Sequence, residues 1–314
     1  IEMVEGKWLV LSDDSFLARY LILSIQAAGG EVIVVQRTEM ASEAMAEAIY
    51  SQVNSLVDQA GTLKGMFYLW GLGSPEGESA PTELTLSLYA LQAIVKIFRY
   101  KPVPCWLLTS QAVSTAQNDK IINPHQAMIK GLGKAFSQEY PDYWGGFLDL
   151  PLESDGCSLD SVLPILLGQN GANHHEDSFA MRKDGLYVER LERYTLPVNR
   201  AELWTSTGSI LITGGLGGLG FNLALELARM GNSHIVLTSR MANPSSKQIE
   251  KIKEMESKGC KITVASCDVA DQSAMAILLE NIKQEGQAVS SVFHAAGVLD
   301  DAAFLDHKPS HLQA

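Results

Sequence analysis

The sequence predicts an α/β fold made of two tandem copies of one unit, and three observations predict it. An apolar strand pattern, a turn, an amphipathic helix pattern ending at glycine and a second apolar strand occupy residues 6–37, GKWLVLSDDSFLARYLILSIQAAGGEVIVVQR. The same succession returns at 208–240, GSILITGGLGGLGFNLALELARMGNSHIVLTSR, offset by 202 at its start (208 − 6) and 203 at its end (240 − 37). A third pair of strands, LKGMFYLWGL (63–72) and VSSVFHAAGV (289–298), lies 226 residues apart, each running into a glycine turn. The strands are continuous apolar runs, as parallel strands covered on both faces are. The expected architecture is two Rossmann-like, doubly wound parallel-sheet subdomains in tandem.

The first copy runs further than the second. After 63–72 come a loop (GSPEGESAPTE), a helix (LTLSLYALQAIVKIFRY), a strand (VPCWLLTSQA), a helix (HQAMIKGLGKAFSQEY) and a strand (GGFLDL). With the 226-residue offset, Ala314 corresponds to residue 88 (314 − 226), so the second subdomain is expected to be truncated. The expected organisation is a structural subdomain over 1–194, a linker over 195–207 and a nucleotide-binding subdomain over 208–314, incomplete at its C-terminus. The opening Ile-Glu-Met-Val reads as a piece of a longer polypeptide.

Bulk composition excludes several classes. The 314 residues carry a net charge of −12 with the basic residues scattered, which argues against a phosphate-tracking surface and hence against nucleic acid. No uncharged apolar run is long enough to span a membrane. Cys105, Cys157, Cys260 and Cys267 show no Cys-x-x-Cys spacing and read as free thiols of a reducing, cytoplasmic compartment.

The copies differ where chemistry would sit. Ser12, Asp13, Asp14 and Ser15 stand in the first where the second has glycines, and two carboxylates there would repel a pyrophosphate. The first copy is therefore expected to bind no nucleotide. In the second, Gly215-x-Gly217-x-x-Gly220 follows a strand and opens a helix, as a dinucleotide-binding turn must. Glycines there permit the tight turn and let helix N-terminal amides reach the pyrophosphate. Twenty residues after Gly220 stands Arg240, behind Thr238 and Ser239, with no acid to bond ribose hydroxyls. A guanidinium and a hydroxyl suit a 2′-phosphate, so the expected cofactor is NADPH; a solvated surface arginine is the alternative. Asp268, after the run KITVASC, could accept from the adenine amino group, and the small residues of His294-Ala295-Ala296-Gly297 would let a cofactor lie near the backbone. Each of these alone is equally an ordinary strand terminus.

Taken in order, TGGLGGLG, SR, CDVAD and HAAGVLDDA resemble the short-chain dehydrogenase/reductase superfamily, and more closely the ketoreductase domain of modular polyketide synthases. The first half, including YVERLERY (187–194), resembles that family's structural subdomain. The resemblance implies NADPH-dependent reduction of a β-ketoacyl thioester, carried on an acyl carrier protein and flanked by other synthase domains, to the β-hydroxyacyl product. It implies that Thr213, Gly214, Gly215, Leu216, Gly217, Gly218, Leu219 and Gly220 hold the pyrophosphate and that Ser239 and Arg240 hold the 2′-phosphate. Asp268 and Val269 would face the adenine, and Ala295, Ala296 and Gly297 the nicotinamide. Leu299-Asp300-Asp301 resembles the signature of B-type ketoreductases, whose alcohol is D-configured, although a solvated acidic turn reads the same way. Only residues 191–207 separate YVER from Gly208, so no enoylreductase insertion is expected.

The alkoxide formed in such a reduction needs a proton, in this family from Tyr assisted by Lys and Ser. No tyrosine in the sequence has lysine four residues on, and Ser, Tyr and Lys are expected beyond Ala314, so the chain alone is expected to be inactive. Tyr50-x-x-x-Asn54 matches a Tyr/Asn spacing but falls in the wrong copy, Ser110 is the first copy's counterpart of the catalytic serine, and Lys308 reads as surface. Asn173-His174-His175-Glu176-Asp177 reads as a solvated loop, not a metal site, and Pro309 separates His307 from His311. Two other readings remain: a non-catalytic pseudo-ketoreductase scaffold, and a fatty-acid synthase ketoreductase.

Overall fold

A computed structural model describes residues 5–37, 44–60, 62–72, 80–116, 119, 121–152, 159–168, 176–195, 204–286 and 288–312. The chain divides into two compact units, Ile1–Glu192 with Asp300–Ala314, and Arg193–Leu299. No helix among the described residues is long and apolar enough to cross a membrane.

The first unit is a seven-stranded sheet in the order β2-β1-β3-β4-β5-β6-β7. Its strands are β1 (Lys7–Ser12), β2 (Glu31–Gln36), β3 (Leu63–Tyr68), β4 (Cys105–Ser110), β5 (Trp144–Leu150), β6 (Ser178–Arg182) and β7 (Gly185–Val188). All neighbours are parallel except the β6–β7 hairpin. Helices α1 (Phe16–Ala27), α2 (Ala44–Ala60), α3 (Ala80–Ile97), α4 (Ala127–Glu139) and the short α5 (Leu163–Leu166) complete it. The period-two alternation of a strand sends Leu9 and Leu11 into one core with Leu91 and Phe136, and Trp8 and Val10 into another with Leu21 and Leu163. Both faces of the sheet are thus covered, which is why its strands read as unbroken apolar runs.

The second unit holds β8 (Ser209–Thr213), α6 (Gly218–Arg229), β9 (His234–Ser239), α7 (Ser246–Ser257), β10 (Lys261–Ser266), α8 (Gln272–Gln284) and β11 (Val289–His294). Its four strands are parallel in the order β10-β9-β8-β11. Helix starts follow local chemistry: Ser245 and Gln248 close a reciprocal capping box on α7, and the Asp271 carboxylate accepts the amides of Ser273 and Ala274 at the start of α8. Pairing is equivalent in the two units, with Leu11 opposite Tyr68 and Thr213 opposite His294, the counterparts at offsets 202 and 226. β10 explains why the offset grows from 203 to 226. The second copy inserts a strand at the sheet edge where the first passes from β2 through α2 to β3.

Residues 300–312 group with the first unit. Phe304, only 2% exposed, supplies the physical reason: it packs on Phe136 and Tyr140 of the first unit, at ring-centroid distances of 5.2 and 6.1 Å.

Candidate cofactor site

The site grows from the end of β8, a fully buried strand that delivers Thr213 to the glycine turn. Gly214 takes a φ of +63°, and a Cβ on it would stand 2.6 Å from the Ala295 carbonyl oxygen. The Gly215 amide donates to Thr238 O at 2.9 Å, tying the turn to β9, and the Gly217 amide donates to Gly214 O at 2.8 Å. Gly217 is the N-cap of α6, and Phe221 N–H, bonded to Gly217 O, is the first amide to find a helical partner. The amides of Gly218, Leu219 and Gly220 therefore lead the helix with no capping side chain and no acid in the first turn. That is the positive end of a helix dipole at the carboxyl edge of a parallel sheet.

The glycines divide into two kinds. A Cβ on Gly215 would lie 2.8 Å from Leu237 Cβ, and one on Gly220 would lie 2.5 Å from Gly214 O, so both are dictated by internal packing. A Cβ on Gly217 would meet Gly214 O at 3.1 Å, whereas one on Gly218 would meet nothing within 4 Å. The open approach to the helix N-terminus is thus over Gly218, not Gly217. A pyrophosphate fits this bare cradle.

The first copy shows the same turn closed. Ser15, the N-cap of α1, accepts the Ala18 amide at 3.2 Å; Asp13 Oδ1 accepts Ser15 N–H, and Ser12 Oγ accepts Asp14 N–H, both at 3.1 Å. Asp14 is held at a φ of +64° and pairs with Arg19, whose guanidinium holds its carboxyl below the ordinary carboxylate range. Arg37, the counterpart of Arg240 (240 − 37 = 203), donates to Trp70 O at 3.0 Å. Trp70, the counterpart of Ala296 (296 − 70 = 226), is wholly buried and donates its indole N–H to Val35 O. Ser110 spends its hydroxyl on Pro151 O, while the Gln126 side chain joins Ser110 N–H to Gly71 O. Side chains of the unit itself fill the first copy's cleft.

At the other strand ends of the second unit, Ser239 is half-buried and Arg240 exposed, the latter making no ion pair among the described residues. The Arg240 carbonyl accepts Ser266 Oγ at 2.9 Å, and Cys267 N–H donates to Ser239 O at 3.0 Å, so the ends of β9 and β10 are locked together. Asp268 is exposed, one carboxylate oxygen accepting Ala270 N–H at 3.0 Å, and Val269 beside it is half-buried. Burial pushes the neighbouring Cys267 thiol above its ordinary value. Ala295 and Gly297 are exposed and Ala296 is half-buried, and a Cβ on Gly297 would meet nothing within 4 Å.

Because β8, β9, β10 and β11 are parallel, the segments 213–220, 239–240, 268–269 and 295–297 all leave at one edge of the sheet. The strand order reverses between β8 and β11, the crevice where such sheets take ligands. Leu299, Asp300 and Asp301 are exposed and straddle the boundary between the units. Of the other candidates, Lys308 is exposed and Glu176 pairs with Arg190. Asp177 accepts from the Trp144 indole; Asn173, His174, His175 and Cys157 lie outside the described residues.

One contributor is not apparent from the glycine motif itself. Gln248 on α7 donates to Leu216 O at 2.8 Å, steadying the glycine turn, and its Ser-x-x-Gln signature was legible as a capping box. Thr213, expected at the pyrophosphate, accepts the amides of Ala295 and Ala296 at the end of β11 with its hydroxyl oxygen.

Comparison with known proteins agrees with this geometry. Residues 208–314 match the family model described as KR domain. The chain is 32% identical over 302 residues to polyketide synthase GfsA of Streptomyces halstedii, covering 93% of this chain and 4% of that polypeptide. Among solved structures it resembles the first ketoreductase of the tylosin polyketide synthase (27% identity, TM-score 0.78, 98% of this chain and 64% of that one). It also resembles a C2-type ketoreductase from a modular polyketide synthase (28% identity, TM-score 0.77, 98% and 66%). The chain therefore spans about two thirds of each solved ketoreductase and a small fraction of the curated relative.

Fold and site together are those of the α/β, Rossmann-like ketoreductase structures of modular polyketide synthases. Residues 208–314 belong to the KR domain family, and the chain as a whole resembles the ketoreductases of modular polyketide synthases.

Proposed function

We propose that this chain is part of an NADPH-dependent β-ketoacyl reductase, acting on a thioester carried by an acyl carrier protein and neighboured by other synthase domains. In this reading residues 1–194 are a structural subdomain, 195–207 a connector and 208–314 the cofactor-binding part of the catalytic subdomain. The observation that carries it is the uncapped, acid-free start of α6, open over Gly218, in a molecule whose first copy closes the equivalent turn with its own side chains.

NADPH, when bound, supplies the hydride. The amides of Gly218, Leu219 and Gly220 would hold its pyrophosphate, Ser239 and Arg240 its 2′-phosphate, and Asp268 and Val269 its adenine. Ala295, Ala296 and Gly297 would border the nicotinamide. An arginine without an ion-pair partner favours a 2′-phosphate, which an acidic residue at that place would repel. Leu299-Asp300-Asp301 supports a B-type, D-configured alcohol. No tyrosine within residues 1–314 has lysine four positions on.

Fluorescence titration with NADPH and NADH tests the cofactor assignment. NADPH should bind at least about tenfold more tightly, and Arg240→Ala should erase the difference, as expected for loss of a charge-assisted phosphate contact. Equal affinity for the two nucleotides in the unaltered protein would refute it.

A further inference from the structure

We propose that the first unit holds a binding site of its own, a cleft between α2 and α3 that takes a medium-chain β-hydroxy carboxylate. Every residue named for it belongs to that unit, apart from the cofactor site.

The cleft encloses about 600 Å³, within the range of small-molecule sites. Helix α3 lines it with Tyr89, Gln92, Ala93 and Lys96, positions spaced i, i+3, i+4 and i+7 on one helical face. From α2 come Ala46 and Tyr50, one turn apart. The half-buried rings of Tyr50 and Tyr89, with Leu305, give apolar walls, and the two alanines leave room that longer side chains would fill.

Gln92 points to a ligand. It is 5% exposed, and its Nε2 donates to Phe304 O and to His307 O, both at 2.9 Å. Two carbonyl acceptors at one end of the amide fix that end as the nitrogen and use both of its protons. Oε1 is therefore at the other end, and it has no donor among the described residues, on a side chain that lines the cleft. Buried polar atoms are nearly always hydrogen-bonded, so this oxygen marks the place of a ligand O–H or N–H.

The charges at the rim select the head group. Lys96 and Arg99 are exposed and make no ion pair among the described residues, and the Arg99 guanidinium lies 4.8 Å over the Tyr100 ring. Glu47, on the α2 side, opposes one of these two cations. A single carboxylate suits that balance, whereas a phosphate dianion would meet the repulsion of Glu47. Lys96 stands one turn beyond Gln92, about 6 Å along the helix axis. A β-hydroxy acid can bridge that span, with its hydroxyl on Gln92 Oε1, its carboxylate toward Lys96 and Arg99, and its alkyl chain between the tyrosines.

The test is a ligand-observed NMR titration of the full-length polypeptide with β-hydroxyoctanoate, octanoate, methyl β-hydroxyoctanoate and octyl phosphate. β-Hydroxyoctanoate should bind saturably with a Kd on the order of 0.1–1 mM, as expected for a ligand of that size. Octanoate, which lacks the hydroxyl, should bind about three- to tenfold more weakly, and the ester and the phosphate about tenfold or more. Ala46→Phe fills the cleft from α2, and Arg99→Gln removes one rim charge. Each should weaken β-hydroxyoctanoate about three- to tenfold, with the NADPH Kd within about twofold of wild type. Arg99→Gln, a surface change, decides the matter where Ala46→Phe fails to fold. Absence of saturable binding, equal affinity for octanoate, or tighter binding of the phosphate overturns the proposal. So does an affinity that neither substitution alters, which would put the acid at another site.

Discussion

Thr213 Oγ1 lies 2.7 Å from His294 Nδ1, and the same oxygen accepts the amides of Ala295 and Ala296 at 3.2 and 3.3 Å. A hydroxyl oxygen has two lone pairs and one proton. The Ala295 amide is shared with the Thr213 carbonyl oxygen at 3.1 Å, whereas the Ala296 amide has the hydroxyl as its acceptor. One side chain thus sews the end of β8 to the end of β11, on either side of the crevice. Thr213→Val keeps the shape and removes the hydroxyl. It should weaken NADPH binding by about tenfold, since the Ala296 amide loses its acceptor at a cost of about 1–3 kcal/mol, and Thr213→Ser should restore it. Imidazole ¹⁵N shifts of His294 should change in Thr213→Val, which removes the hydroxyl 2.7 Å from Nδ1. Identical shifts in the two proteins would count against that contact.

Gly218 and Gly220 should respond oppositely to the same substitution. Alanine at Gly220 forces a Cβ into the Gly214 carbonyl oxygen, so the unit should lose about 1–3 kcal/mol, in the range for overpacking. Alanine at Gly218 meets no protein atom and sits in the first turn of a helix. Stability there should hold or rise by about 0.4–1 kcal/mol through the stiffer unfolded chain. NADPH affinity should nevertheless fall, because the new methyl stands over the approach to the amides. Denaturant titration and fluorescence titration of the two variants check both halves; a Gly218→Ala protein that binds NADPH normally would place the ligand elsewhere.

The repeated strand, turn, helix and strand were legible because each is encoded locally, in the apolar run, the helical period and the glycines. The position of residues 213–220, 239–240, 268–269 and 295–297 at strand ends was legible for the same reason. Long-range features were not. Phe304 reads as one apolar residue among several, and its receptor residues Gln92 and Phe136 lie 212 (304 − 92) and 168 (304 − 136) positions away. The bonds from Thr213 to the end of β11 depend on β11 lying beside β8, which the sequence does not show. The Ser-Asp-Asp-Ser turn was read as repelling a phosphate, and the structure adds that it caps its own helix.

That self-capping predicts a stability effect in the first unit. Ser15→Ala leaves the Ala18 amide without its acceptor at the start of α1 and should cost about 1 kcal/mol, the usual value for an N-cap. Ser15→Gly should cost only a few tenths. Urea denaturation of the pair measures the difference. Equal losses would mean that the Ser15 hydroxyl contributes nothing as a cap.

The second unit should lose stability under mildly acidic conditions through His234. This ring sits in β9, 3% exposed, with Nδ1 2.7 Å from Ser209 Oγ on β8 and Nε2 2.9 Å from Thr263 Oγ1 on β10. Burial holds its pKa below the ordinary 6.5, the nearby Lys261 charge acts in the same direction, and Glu285 opposes them. A histidine with a depressed folded pKa binds fewer protons folded than unfolded, so its contribution is complete above about pH 6.5 and is lost as pH falls through the folded value. Wild-type protein should therefore show a falling urea midpoint between about pH 7.5 and 5.5. His234→Gln, which can still reach one hydroxyl, should be less stable at pH 7.5, with a flatter dependence across that window. A wild-type midpoint that holds steady or rises on acidification would show that the neutral ring is not what the three strands are built around.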